Sequence, residues 1–88
     1  MEYQIIKADM KQDEDKKYLG HVTFTLTGHS SKYEITLFSK RGKEWDYSLN
    51  FAEESGNEEE LLKVDEQLEE DDDLFDALVD AARESMEQ

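Results

Sequence analysis

The sequence predicts an α+β domain: a four-stranded antiparallel β-meander with one face covered by one or two C-terminal helices. Three observations predict it. Residues 18–27, 32–38 and 44–52 alternate apolar and polar side chains with the period of two that a half-buried strand requires. Short turn-forming stretches separate these runs, which favours pairing of sequence neighbours in a meander. From residue 73 the apolar spacing changes to i, i+3, i+4 and i+7, the mark of one helix face. Eighty-eight residues suit a single domain with one core, 1–52 supplying the sheet and 53–88 an acidic helical part.

The first strand is read over residues 2–10. Its alternation is imperfect: Tyr3 and Ile5 share one face, whereas Ile6, Ala8 and Met10 share the other. A bulge in this strand would return Ile6 to the core. Residues 11–17 form a polar loop of mixed charge. Asp13, Glu14 and Asp15 there lack the glycine and the distal glutamate of a calcium loop, so none is expected.

The second strand, 18–27, points Val22, Phe24 and Leu26 one way and His21, Thr23, Thr25 and Thr27 the other. Residues 28–31 are a turn. In the third strand Tyr33, Ile35 and Leu37 face inward; Lys32, Glu34 and Thr36 face outward, joined by Phe38, which breaks the pattern. Residues 40–43 form a tight hairpin in which Gly42 supplies the positive φ. The fourth strand, 44–52, sets Trp45, Tyr47, Leu49 and Phe51 against Asp46, Ser48 and Asn50. One sheet face is therefore apolar and the other rich in Thr and Ser. An antiparallel sheet tolerates one wet face. The apolar face needs a cover, and residues 53–88 must provide it.

Residues 53–57 read as a linker. Asn57 is placed to cap a helix whose first turn, Glu58, Glu59 and Glu60, suits the positive helix end. Leu61, Val64 and Leu68 give the stripe of that helix, with Leu62 beside it; a short strand at 61–64 is the alternative. Residues 69–73 are five consecutive acids. They oppose the negative end of one helix and favour the positive start of another, with Asp71 or Asp72 as N-cap, so two helices are expected rather than one rod. The second helix, over 73–86, places Phe75, Leu78, Val79, Ala82 and Met86 on one face, with Phe75, Leu78 and Val79 as anchors.

Charge is distributed unevenly. Residues 1–52 hold eight acids and eight bases, whereas 53–88 hold sixteen acids against Lys63 and Arg83, so the whole net charge of −14 lies in the second part. Such a charge repels nucleic acid and anionic membranes and points to a basic protein as partner. Asp73, Asp76, Asp80, Glu84 and Glu87 form a line down the outer face of the second helix, roughly 21 Å long at about 1.5 Å per residue. Apart from Arg83, the bases that would pair with them at i,i+4 are missing. Glu69, Glu70 and Asp72 flank the line, as do Glu58, Glu59 and Glu60.

A DNA strand carries one charge per roughly 3.4 Å, and a rigid helix bearing this line approaches that density. In size, lack of cysteine and charge placement, the chain resembles small phage and mobile-element inhibitors that imitate DNA. The resemblance is one of style and covers no defined motif. It implies a non-catalytic protein that occupies the basic nucleic-acid site of a nuclease or another DNA-binding protein.

The second expectation is an adaptor or regulatory domain that binds through its sheet face, with Phe38 as a possible second patch and the acidic end serving solubility. High-salt adaptation would spread acid along the whole chain and deplete lysine, but seven of the eight lysines lie in the neutral part. Lys40, Arg41 and Lys43 form a small basic spot at the hairpin.

Catalysis is not expected. No nucleophile elbow, dinucleotide fingerprint or phosphate loop is present. The carboxylates cluster on helices rather than facing one another across an apolar cleft. His21 and His29 without cysteine do not make a zinc site, so neither metal nor cofactor is expected. The first seven residues lack the apolar core of a secretory leader, and no apolar run nears the roughly 20 residues of a membrane span. The expectation is a cytoplasmic protein, monomeric or weakly dimeric.

Overall fold

Alternation in the sequence becomes a single sheet of strand order β1-β2-β3-β4, with every pair antiparallel. The strands are β1 (Tyr3–Gln12), β2 (Tyr18–Leu26), β3 (Tyr33–Ser39) and β4 (Asp46–Phe51); two helices follow, α1 (Glu58–Glu70) and α2 (Asp72–Ser85). The computed structural model describes residues 2–29, 31–42, 44–52 and 56–86. The chain is thus an α+β meander with its helices on one face.

Register explains the core. Ile5, Phe24, Tyr33 and Phe51 form one transverse row. Ala8, Val22, Ile35 and Leu49 form the next, and Met10, Gly20, Leu37 and Tyr47 a third. Val22, Phe24, Tyr33, Ile35 and Leu37 are completely buried in the two central strands. Their rows continue as half-buried side chains on β4. Gly20 is the gap in this pattern. A Cβ there would lie 2.7 Å from the Met10 Cε and 2.9 Å from the Asp9 carbonyl oxygen. Met10 covers the gap and is itself buried.

β1 departs from the sequence reading. The pairing of β1 with β2 shifts between Ile5 and Lys7. This bulge consumes one residue and inverts the parity of everything after it. Ala8 and Met10 therefore join Tyr3 and Ile5 on the core side, not the opposite side. Ile6 is the extra residue and is 50 % exposed. The bulge is present, but it releases Ile6 from the core rather than placing it there.

The turns follow local chemistry. Gly42 has φ 76°, as its hairpin requires, and its N–H donates to the Ser39 hydroxyl at 2.8 Å. Lys43 and Ser30, expected in the hairpin and in the preceding turn, lie outside the described residues, as do Glu53, Glu54 and Ser55 of the linker.

Asn57 caps α1, its side-chain oxygen accepting the N–H groups of Glu59 at 2.8 Å and Glu60 at 3.2 Å. That cap removes two orphan donors, and the segment 61–64 is helix rather than strand. Val64 and Leu68 are buried, Leu61 packs partly against the core, and Leu62 points to water. α1 lies over β4; α2 lies over β1 and β2 and also touches α1.

The buried stripe of α2 is Leu74, Leu78, Val79 and Ala82. The expected stripe began one residue later, at Phe75, and ended at Met86. Phe75 instead turns toward the seam with α1 and β4, where its ring meets Tyr47 at 5.6 Å between centroids. Met86 is 39 % exposed. Leu74 takes the expected anchor position because the helix meets the sheet through its i, i+4, i+8 row. No helix among the described residues is long and apolar enough to cross a membrane.

Leu78→Ala should lower the unfolding free energy by about 2–5 kcal/mol in a urea titration, since it opens a cavity under the centre of α2. Ile6→Ala should change it by no more than about 0.5 kcal/mol, because the bulge leaves that side chain in water.

Candidate partner-binding surface

The run of acids at residues 69–73 is resolved by one residue. Asp71 has φ −106° and ψ 92°, an extended conformation between two helices. It closes α1 through its N–H, which donates to the Gln67 carbonyl at 2.7 Å. It opens α2 through its carboxylate, which accepts the Leu74 N–H at 3.2 Å. The Gln67 side-chain amide donates to its second oxygen at 3.1 Å. These donors, the Leu74 N–H first and the Gln67 amide next, hold the Asp71 carboxyl below its ordinary value.

With Asp71 turned inward, its neighbours turn outward. Glu69 and Glu70 are exposed at the end of α1, and Asp72 and Asp73 at the start of α2. Asp76, Asp80 and Glu84 continue the exposed face. The structure therefore brings seven of the eight sequence-predicted acids onto the outer side of the helices. The eighth, Glu87, lies outside the described residues. From Asp73 to Glu84 the line spans roughly 16 Å. Among the described residues, no lysine or arginine pairs with a carboxylate of either helix; the ion-pair contacts there are His21–Asp9 at 3.4 Å and His29–Glu60 at 3.8 Å.

Phe38 is 46 % exposed on the opposite side of the molecule, on the outer sheet face. It is directly paired across β2 and β3 with Leu19, itself 50 % exposed. Lys11 continues that row on one side and Asp46 on the other. Leu19 was missed in the sequence, although it shares the parity of His21 and Thr23 and so was destined for the wet face. Ile6, Ala8 and Met10 do not join Phe38 as a patch: Ala8 and Met10 face the core, and Ile6 lies five residues along β1 from Lys11.

Polar contacts tie α1 to the sheet and to the turn before β3. The Tyr47 hydroxyl donates to the Asp65 carboxylate at 2.8 Å. Burial pushes the Tyr47 phenol up, reinforced by that hydrogen bond and by the charges of Asp65 and Glu69. At the other end of the helix, the His29 Nδ1 lies 2.8 Å from the Tyr33 hydroxyl and 3.8 Å from the Glu60 Oε2. That oxygen is buried and has no hydrogen-bond partner among the described residues. Burial and the Glu60 charge raise the Tyr33 phenol. No sequence pattern joined His29 to Glu60, because the contact crosses from a turn to a helix.

The aromatic residues Tyr33, Trp45, Tyr47 and Phe51 lie on the core side of the sheet. Tyr33 stacks on Phe51 at 6.0 Å and Trp45 meets Tyr18 at 5.8 Å. In the loop after β1 the Asp13 carboxylate accepts the N–H groups of Asp15 and Lys17, each at 2.9 Å, and so closes a local turn. Among the described residues no three His, Asp or Glu side chains gather in a group able to hold a metal ion.

Among the described residues the helices present exposed carboxylates and the outer sheet face an exposed apolar pair. Comparison of the chain with protein-family models, curated proteins and solved structures finds no match.

The Asp71 joint has a definite pH signature. Its carboxyl titrates lower in the folded chain than its ordinary value of 3.8. Its stabilising contribution is therefore complete above that value and is lost as pH falls through the folded titration point. Asp71→Asn keeps an acceptor at the cap but cannot ionise. The thermal midpoint of the unmodified chain should exceed that of Asp71→Asn at pH 6, and the gap should close toward pH 2. A gap unchanged by pH would show that the charge of Asp71 has no part in the joint.

Proposed function

We propose that this chain is a non-catalytic binding protein whose acidic helices occupy the basic nucleic-acid site of a DNA-binding protein, a nuclease being one such partner. The observation that carries this reading is the exposed carboxylate face of α2, from Asp73 through Asp76 and Asp80 to Glu84, without lysine or arginine partners among the described residues. Glu69, Glu70 and Asp72 extend it around the corner to α1.

Three physical arguments support it. A helix holds its carboxylates at fixed spacing, about one per 5 Å along the line, against one phosphate per roughly 3.4 Å along a DNA strand. Its face is backed by a packed sheet, so little order remains to be gained on binding. Like charges on one face oppose folding, and a domain of this size has a margin of only about 5–15 kcal/mol to tolerate them. A surface that destabilises its own fold is readily understood if a partner neutralises it. Association with a basic site would be steered, fast and weakened by salt.

A second reading is favoured by one observation, the exposed Leu19–Phe38 pair on the outer sheet face. In it the chain is an adaptor that binds through the sheet, and the helical acids serve solubility.

The two readings separate by mutation and salt. Partners are captured from a lysate at low and at high salt. In the first reading a DNA-binding protein is retained, is displaced by duplex DNA, and loses at least about tenfold in affinity to the double variant Asp76→Lys/Asp80→Lys, while Phe38→Ala changes little. Both substitutions are exposed and should leave the circular dichroism spectrum unaltered. Affinity indifferent to the charge reversal, but lost in Phe38→Ala, would transfer the site to the sheet.

A further inference from the structure

We propose that the open edge of β4, with the groove between it and α1, receives an extended basic segment of the partner protein, which adds to the sheet as a fifth strand. The inference rests on the reading that the partner is basic, and it assigns that partner a second contact of a different kind from the α2 face.

The two edges of the sheet are built differently. β1 is interrupted by the bulge at Ile6 and carries Lys7 and Lys11. Bulges and lysines are the ordinary devices that prevent another strand from adding to an edge. β4 carries neither. It pairs with β3 in unbroken register from Tyr33↔Phe51 to Phe38↔Asp46, and its six residues include no lysine. It ends the strand order, and no described strand lies on its far side. The backbone N–H and C=O groups directed that way are therefore suited to pairing with an incoming chain.

α1 lies over β4. The groove left between them is lined by Tyr47, Leu49, Leu61, Leu62, Asp65 and Glu69. Leu62 is 62 % exposed, the largest value among the big apolar side chains described. Tyr47 and Leu49 belong to the core rows yet remain half-buried. The groove thus has apolar walls from both the strand and the helix. Asp65 and Glu69, one helical turn apart, add two carboxylates. Asp65 is held in place by the Tyr47 hydroxyl at 2.8 Å.

Strand geometry selects the occupant. A chain added to β4 turns alternate side chains toward α1. Those side chains meet Leu49, Leu61 and Leu62, which suits valine, isoleucine or leucine. The other set lies beside Asp46, Ser48 and Asn50 on the outer face of the sheet, which suits lysine, arginine or threonine. An acidic segment is excluded by the net charge of −14 and by Asp65, Glu69 and Asp46 along the path. The complementary partner is an extended stretch in which apolar and basic residues alternate.

The probe is an eight-residue peptide of alternating valine and lysine, titrated into the full-length ¹⁵N-labelled protein at physiological salt. Amide shifts should concentrate on residues 46–51 and 61–69, and the amides of β4 should exchange more slowly. Affinity should fall at least about fivefold when glycine replaces each valine of the peptide, and again in Leu62→Ser, whose exposed position leaves the fold intact. N-methylation of alternate peptide amides should abolish binding, a test of strand pairing that does not alter the protein. Asp76→Lys/Asp80→Lys lies on the exposed face of α2, which contributes no residue to the lining of the groove, and should change peptide affinity less than about threefold.

Equal binding by the glycine or N-methylated peptides, or shifts confined to α2, would overturn strand addition and leave the α2 reading standing. Binding at β4, together with a DNA-binding partner indifferent to the α2 charge reversal, would support strand addition and overturn the α2 reading instead.

Discussion

Everything in this molecule depends on burying one face of a four-stranded sheet beneath two helices that repel one another and themselves. Val22, Phe24, Ile35 and Leu37 are completely buried, and the two helices that cover them belong to the part of the sequence, 53–88, that holds all of the net charge of −14. The magnitudes decide the contest. Burial of a large aliphatic or aromatic side chain contributes about 1.5–3 kcal/mol, whereas a like-charge neighbour on a helix surface costs about 0.2–0.5 kcal/mol. Val64, Leu68, Leu74, Leu78, Val79 and Ala82 are buried, so attraction wins provided the carboxylates stay in water, where the interaction between charges is weak. Asp72, Asp73, Asp76, Asp80 and Glu84 face outward for that reason, whereas Asp71 turns inward and Glu60 buries one carboxylate oxygen.

The corner between the helices shows the same constraint at close range. Five consecutive acids at the negative end of α1 would be unfavourable if all were equivalent. They are not. Asp71 leaves the helical conformation, accepts backbone and amide hydrogen bonds, and starts α2. Asp72 and Asp73 then sit at the positive end of the new helix. A single carboxylate serves both helices, and the remaining ones stay available to a partner. The structural and the proposed functional carboxylates are thereby separated within one short segment.

The surface that results has three chemically distinct regions. The outer side of the helices is anionic. The outer sheet face is polar with an apolar Leu19–Phe38 pair. The margin between β4 and α1 is both apolar and anionic, with a strand edge along it that no described strand pairs. The proposals for α2 and for β4 invoke the same kind of partner, a basic protein, but different physics. One relies on the long-range attraction of fixed charges, the other on backbone pairing and apolar contact.

Much of this was legible in the sequence, because strands and helices write their periods directly into the order of residues. Tyr33, Ile35 and Leu37 alternate without interruption and are buried as read. Asn57 and the acids after it announced the start of α1, and the five acids at 69–73 announced its end. The chemistry of the helical face was legible for the same reason: a line of acids with Arg83 as its one basic neighbour in the helix remains exposed in any fold that buries the opposite stripe.

What stayed hidden was every feature set by one element meeting another. The bulge at Ile6 answers to the register with β2, and nothing in residues 3–12 alone says which residue is extra. The choice of Leu74 over Phe75 depends on where α1 and Tyr47 lie, since neighbouring helix positions differ by only about 100° in direction. The His29–Tyr33–Glu60 contact and the groove beside β4 exist only once α1 has been laid across the sheet. The sequence by itself determined the elements, their caps and their charged and apolar faces, because these follow from local geometry and periodicity. The tertiary structure alone decided the register, the seam and the open edge, because these arise from packing between segments distant in the chain.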